Sequence, residues 1–88
     1  MAHTGPIEQL DVSYVEQYAT QKMRPEDRII IETLKASIRI VGILEPLLLE
    51  CKGPRLERKG VEAYLIEGNH RLIAAKELGM KTVPVRRV

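Results

Sequence analysis

The stretch that decides the fold is Tyr64–Met80, YLIEGNHRLIAAKELGM. Its first residues close a strand pattern that begins at Val61, with Val61, Ala63 and Leu65 alternating against Glu62 and Tyr64. The apolar run stops at Gly68. After it, Leu72, Ala75 and Leu78 recur at steps of three, Ala74 and Lys76 favour a helix, and Gly79 can close it. A strand that turns straight into a helix needs a residue tolerant of unusual backbone angles, which Gly68 supplies. Asn69 is expected as the N-cap, its side-chain oxygen accepting from a free backbone N–H.

His70 and Arg71 fit that corner less well. Cations in a first helical turn oppose the dipole at a cost of about 0.3–1 kcal/mol. The same helix start offers unpaired N–H groups and a partial positive charge, so an anion above the turn would reconcile the four residues. Arg71 can grip two phosphate oxygens with its planar fork, and His70 can donate to phosphate or move a proton. The competing reading is a capped corner, with Arg71 paired to Glu67 or Glu45 and His70 on the surface.

Outward from this corner, the pattern predicts an α+β fold. Residues 7–15, IEQLDVSYV, read as a first strand loosening into a turn near Asp11 and Ser13. Pro25, Glu26 and Asp27 open a helix. Ile30, Leu34, Ile38 and Val41 then share one face, with Ile31 beside them, and Gly42 ends the helix. ILEPLLLECK is a second strand with Pro46 near its start, and GPRLERKG a hairpin loop with a basic tip. KTVPVRRV is a last strand, at the sheet edge or starting at Pro84. The expectation is one domain over 1–88: a small mixed sheet with two main helices, in the order β-α-β-β-α-β.

Composition excludes several classes. The chain is 44% apolar and 30% charged, as in a globular protein. No apolar run reaches the roughly 18 residues of a membrane span, and the first residues lack a secretory signal. One cysteine, Cys51, can form neither an internal disulfide nor a zinc cluster, so a reducing cytoplasm is the expected setting. Charge is divided unevenly. Residues 1–50 carry five Lys/Arg against eight Asp/Glu, and residues 51–88 nine against four. The second half is the expected face for a phosphate-bearing partner, ordinary surface charge being the alternative. With no Trp or Phe and three Tyr, the chain offers few platforms for stacking single-stranded bases.

The runs GILEPLLL and YLIEGNHRLIAAKELGMKTVPV resemble the core of the ParB/sulfiredoxin superfamily in order and spacing, over about residues 7–88. The shared features are a helix ending in glycine, a Gly-x-x-x-Pro strand, a Gly-x-[His/Arg]-Arg box, a helix closing in Leu-Gly and a Val-Pro-Val strand. In that superfamily the box cradles nucleotide phosphates, CTP in chromosome-partitioning ParB and ATP in sulfiredoxin. The resemblance therefore implies that Gly68, Asn69, His70 and Arg71 form a phosphate-contacting turn. It implies that Gly42 and Pro46 border the same pocket, and that Thr33 and Ser37 stand where hydroxyls meet ATP in sulfiredoxin, neutral helix-flank residues being the alternative. Magnesium would accompany the nucleotide.

The chain also departs from its relatives. Asn69 stands where sulfiredoxin has its catalytic cysteine, and Cys51 is on a different strand, so sulfinic acid reduction is not expected. ParB has Glu-Arg where this chain has Asn69 and His70, which puts ParB-like CTP hydrolysis in doubt. The sequence ends at Val88, before the later ParB motif, the helix-turn-helix and the dimerisation segment. The leading expectation is a nucleotide-binding domain, with Glu67 and His70 as the candidates for hydrolytic chemistry. Other readings stay open. Lys52, Arg55, Arg58 and Lys59 could follow a DNA backbone in a nuclease-like protein, although two carboxylates, Glu45 and Glu67, do not define a metal site. A small-molecule kinase is a further reading, since a free-serine kinase also resembles this fold, and so is a non-catalytic adaptor. Self-association, or a partner protein, would bury apolar surface that a small core leaves exposed.

Overall fold

A computed structural model describes residues 5–88, apart from the side chain of Arg55. In chain order the elements are β1 (Ile7–Asp11), α1 (Val12–Glu16), a 3-10 turn (Pro25–Asp27), α2 (Arg28–Val41), β2 (Leu47–Glu50), α3 (Pro54–Lys59), β3 (Tyr64–Glu67), α4 (Asn69–Glu77) and β4 (Thr82–Arg87). The α+β class and mixed sheet hold. The sheet order is β1-β4-β2-β3, with β4 antiparallel to β1 and parallel to β2, and β2 antiparallel to β3.

One face of the sheet makes the core. Leu47, Leu49, Leu65, Val83 and Val85 point into it, covered by Val12 and Val15 from α1 and by Leu72 and Ala75 from α4. Each buried Leu or Val among them contributes about 1.5–3 kcal/mol by leaving water. α2 forms a further layer, packing Ile31 and Ile38 on Ala74 of α4. Charges clamp the two helices together. Arg28 reaches both Glu32 and Glu77, and Lys35 Nζ lies 3.1 Å from Glu77 Oε1. Hydrogen bonds from Arg28 first, and then Lys35, hold the Glu77 carboxyl down at about 2. No helix among the described residues is long and apolar enough to cross a membrane.

Four local expectations are corrected. The strand expected over 7–15 ends at Asp11, because Val12 and Val15 are three apart and both enter the core from a helical turn. The expected loop at 53–60 contains α3, whose Pro54 start, Glu57 in the first turn and Arg58 and Lys59 in the last suit a helix, with buried Leu56 as its anchor. β4 is interior, not an edge, and begins at Thr82. Pro84 is tolerated because pairing with β2 starts only at Val85, so β4 has β1 alone beside it at the proline. The core face of α2 runs through Ile31 and Ile38, with Leu34 half-buried, whereas Ile30 and Val41 are exposed. This helix is apolar on two sides, and periodicity alone does not choose between them.

Candidate functional site

Gly68 sits at φ 108, in a left-handed conformation, where β3 ends beside the start of its neighbour β2. A Cβ at this position would lie 2.5 Å from Leu47 Cγ, so neither the angle nor the space admits a side chain. Gly68 occupies the cap position, and the Leu72 N–H donates to its carbonyl at 2.8 Å. The N–H groups of Asn69, His70 and Arg71 are therefore those that the first helical turn leaves without an intrahelical acceptor.

Asn69 is not the N-cap. It is the first helical residue and is buried, its Oδ1 accepting the Thr20 N–H at 3.1 Å and its Nδ2 donating to Thr20 Oγ1 at 3.1 Å. Thr20 in turn donates to the Leu65 carbonyl at 2.8 Å. The amide thus ties the segment between α1 and α2 to β3 and α4, and a buried amide with several partners has little freedom to serve as a cap. Thr20 carried no sequence signal, since a polar residue in a polar segment reads as loop.

His70 is held rather than loose. Its Nε2 lies 3.1 Å from Asp27 Oδ1. Asp27 is buried, and its Oδ2 accepts the Arg24 N–H at 2.9 Å. That backbone bond first, and His70 second, hold the Asp27 carboxyl below the usual carboxylate range. Asp27 was legible only as a helix-opening acid; its contact with His70 spans 43 residues.

Arg71 meets neither the Glu67 nor the Glu45 carboxylate in an ion pair among the described residues. Its Nη1 donates to the carbonyls of Glu45 at 2.6 Å and Pro46 at 3.3 Å, which pins the Gly42–Pro46 segment against α4. Three cavities meet at this side chain. One of ≈ 270 Å³ is lined by Ile30, Leu34, Glu67 and the Gly68–Arg71 turn. A second, ≈ 290 Å³, lies between Ser37 and Ile38 of α2 and the Gly42–Glu45 loop. The third, ≈ 250 Å³, has Glu45, Pro46, Glu67 and Arg86 in its wall. Each is near the lower bound of ligand-sized pockets, about 300 Å³.

The fold thus gathers the Gly68–Arg71 turn, Ser37, Gly42, Pro46 and Glu67 around Arg71. Thr33 is not in these linings, and its hydroxyl donates to the Ile29 carbonyl at 2.9 Å. The basic residues lie elsewhere. Arg58 and Lys59 end α3 and Lys52 precedes it, all three exposed, with Lys59 Nζ 5.6 Å from the Tyr64 ring centre. The Arg55 side chain lies outside the described residues. Cys51 follows β2 at the end remote from Leu47 and Gly68, with Sγ 3.8 Å from Arg87 Nη1. Among the described residues no three His, Cys, Asp or Glu side chains gather as a metal centre.

A four-stranded mixed sheet with a glycine turn at the start of its last helix defines an α+β domain of ParB/sulfiredoxin type. The chain belongs to the ParB N-terminal domain family, whose model matches residues 1–88. Sulfiredoxin from Arabidopsis thaliana superposes with a TM-score of 0.66 at 21% identity, covering 94% of this chain and 84% of that one. The C-terminally truncated chromosome-partitioning protein ParB from Caulobacter crescentus, complexed with CTP-gamma-S, superposes with a TM-score of 0.63 at 25% identity, covering 96% and 44%. SbnI from Staphylococcus aureus, with a C-terminal truncation, gives 0.63 at 25% identity, covering 93% and 30%. This chain therefore spans less than half of the ParB and SbnI chains. No curated protein matches it in sequence.

Proposed function

We propose that the chain binds a nucleoside triphosphate, CTP or ATP, with the phosphates over the N-terminus of α4. The observation that carries this reading is the Gly68 turn, pressed on Leu47 and opening the first N–H groups of α4 beside a cavity rimmed by His70 and Arg71. Anions favour such a helix start. Arg71 uses one nitrogen for the Glu45 and Pro46 carbonyls, and a guanidinium has five N–H donors to share. Asp27 orients His70 through one ring nitrogen, so the imidazole meets the phosphates in a set pose. The adjoining cavity, with Ser37 and Gly42 in its wall, receives the nucleoside. The related ParB bound to CTP-gamma-S supports the same class of ligand.

Magnesium would arrive with the triphosphate, and Glu67 and Glu45 are the carboxylates near enough to Arg71 to face it. Glu67 and His70 are the groups from which water-directed hydrolysis would draw. Titration calorimetry with CTP, ATP and ADP plus magnesium tests the binding. Saturable binding that Arg71→Ala abolishes supports it, and no heat at about 1 mM nucleotide rejects it.

A second reading, contact with a DNA backbone, is favoured by the exposed Lys52, Arg58 and Lys59 around α3. Its sign would be affinity that falls steeply with salt and survives Arg71→Ala.

A further inference from the structure

α2 carries an uncharged face that no other element among the described residues covers. Ile29, Thr33, Ala36 and Ile40 recur at steps of four, three and four, and all four are exposed. Ile29 keeps 77% and Ile40 83% of its surface in water. Arg28 and Lys35 lie on a different arc, where they meet Glu77 of α4, while Glu32, paired to both of them, borders the uncharged face. Solvent alone explains neither isoleucine, since a water-facing helix stripe is ordinarily polar. Thr33 brings no unmet hydroxyl to this face, because Ile29 accepts from it.

The four-three-four spacing is that of a coiled-coil seam. It also reads the same from either end, which a two-fold interface requires, since each copy must present one surface to itself. An antiparallel pair would set Ile29 of one copy over Ile40 of its twin, and Thr33 over Ala36. Large residues then fill the ends while small ones let the helix axes approach at the centre.

The flanks carry the same symmetry in charge. Glu32 and Arg39 occupy equivalent flanking positions, seven residues apart on one side of the seam. In an antiparallel pair such positions face each other across the axis, so Glu32 of each copy meets Arg39 of the other. Arg39 is exposed and has no ion pair among the described residues. On the opposite flank Ile30 would meet Ser37, with no charge opposed to like charge. We propose that this face of α2 is the interface of an antiparallel, two-fold dimer of this chain, formed without nucleotide and bordered by Ile30 and Ser37 of the cavities around Arg71.

Sedimentation equilibrium of the chain from about 10 μM to about 1 mM tests this. A concentration-dependent dimer is expected. Ile40→Lys, at a site too exposed to affect folding of the single chain, should weaken it at least about tenfold while leaving in place the thermal melt taken at a concentration where both proteins are monomeric. Charge reversal makes the register specific. Arg39→Glu and Glu32→Arg should each weaken the homodimer, and mixing the two proteins should restore association, because both cross-pairs are then complementary. A chain that stays monomeric to about 1 mM overturns the proposal. So does a dimer indifferent to Ile40→Lys, or a mixture no more associated than its parts.

Discussion

His70 Nε2 stands 3.1 Å from Oδ1 of Asp27, so the opening of one helix fixes an imidazole at the opening of another. The contact joins the start of α2 to the start of α4, on either side of the proposed phosphate site. Asp27→Asn removes the charge and leaves the shape. The expected outcome is a lower urea midpoint with an unchanged m-value, together with weaker nucleotide binding in calorimetry. Because the folded carboxyl titrates below its ordinary value of 3.8, its contribution is present above that pH and fades as pH falls through the lower folded value. The variant should lose that part of the acid dependence.

Gly68→Ala tests the turn itself. The substitution forces a side chain into a left-handed angle and onto Leu47, which lies in the core. Positive-φ strain and overpacking each cost about 1–3 kcal/mol. Chemical denaturation should therefore show a loss of at least about 2 kcal/mol. A loss below about 0.5 kcal/mol would mean that the turn relaxes easily.

Arg71→Ala and Arg71→Lys separate two jobs of one side chain. Alanine loses the bonds to Glu45 and Pro46 as well as the proposed phosphate grip, so both stability and affinity should drop. Lysine keeps the charge but not the planar fork, and affinity should fall about tenfold while the fold largely survives. Parallel calorimetry and thermal melts read the two effects.

Glu77 governs acid sensitivity between α2 and α4. Its carboxyl is depressed from 4.5 to about 2, chiefly by Arg28. A depressed carboxyl stabilises the fold above the unfolded value and loses that effect as pH falls through the folded one. Stability should thus decline from about pH 4.5 toward pH 2, and Glu77→Gln should flatten this part of the profile. Added salt should reduce the same slope, because the cluster is at the surface.

The class of fold was legible in local chemistry. Steps of three after Gly68 and glycines at 42, 68 and 79 mark element limits through angles that the chain itself imposes, whereas the alternation from Val61 overran a strand that starts only at Tyr64. The candidate site was legible as a cluster of residue types, Gly68 to Arg71, whose cations contradict a helix start. Partners were another matter. That Asn69 binds Thr20, that His70 binds Asp27 and that Arg71 binds two carbonyls depends on segments 25 to 49 residues apart. No local pattern encodes such pairings, because they arise when the sheet brings distant chain together. The same holds for α2, whose two apolar faces look alike in sequence. Packing on α4 buried Ile31 and Ile38 and left Ile29 and Ile40 in water. Angles and periods belong to the chain; which face meets which neighbour is decided only when the core closes, since burial is a property of the whole.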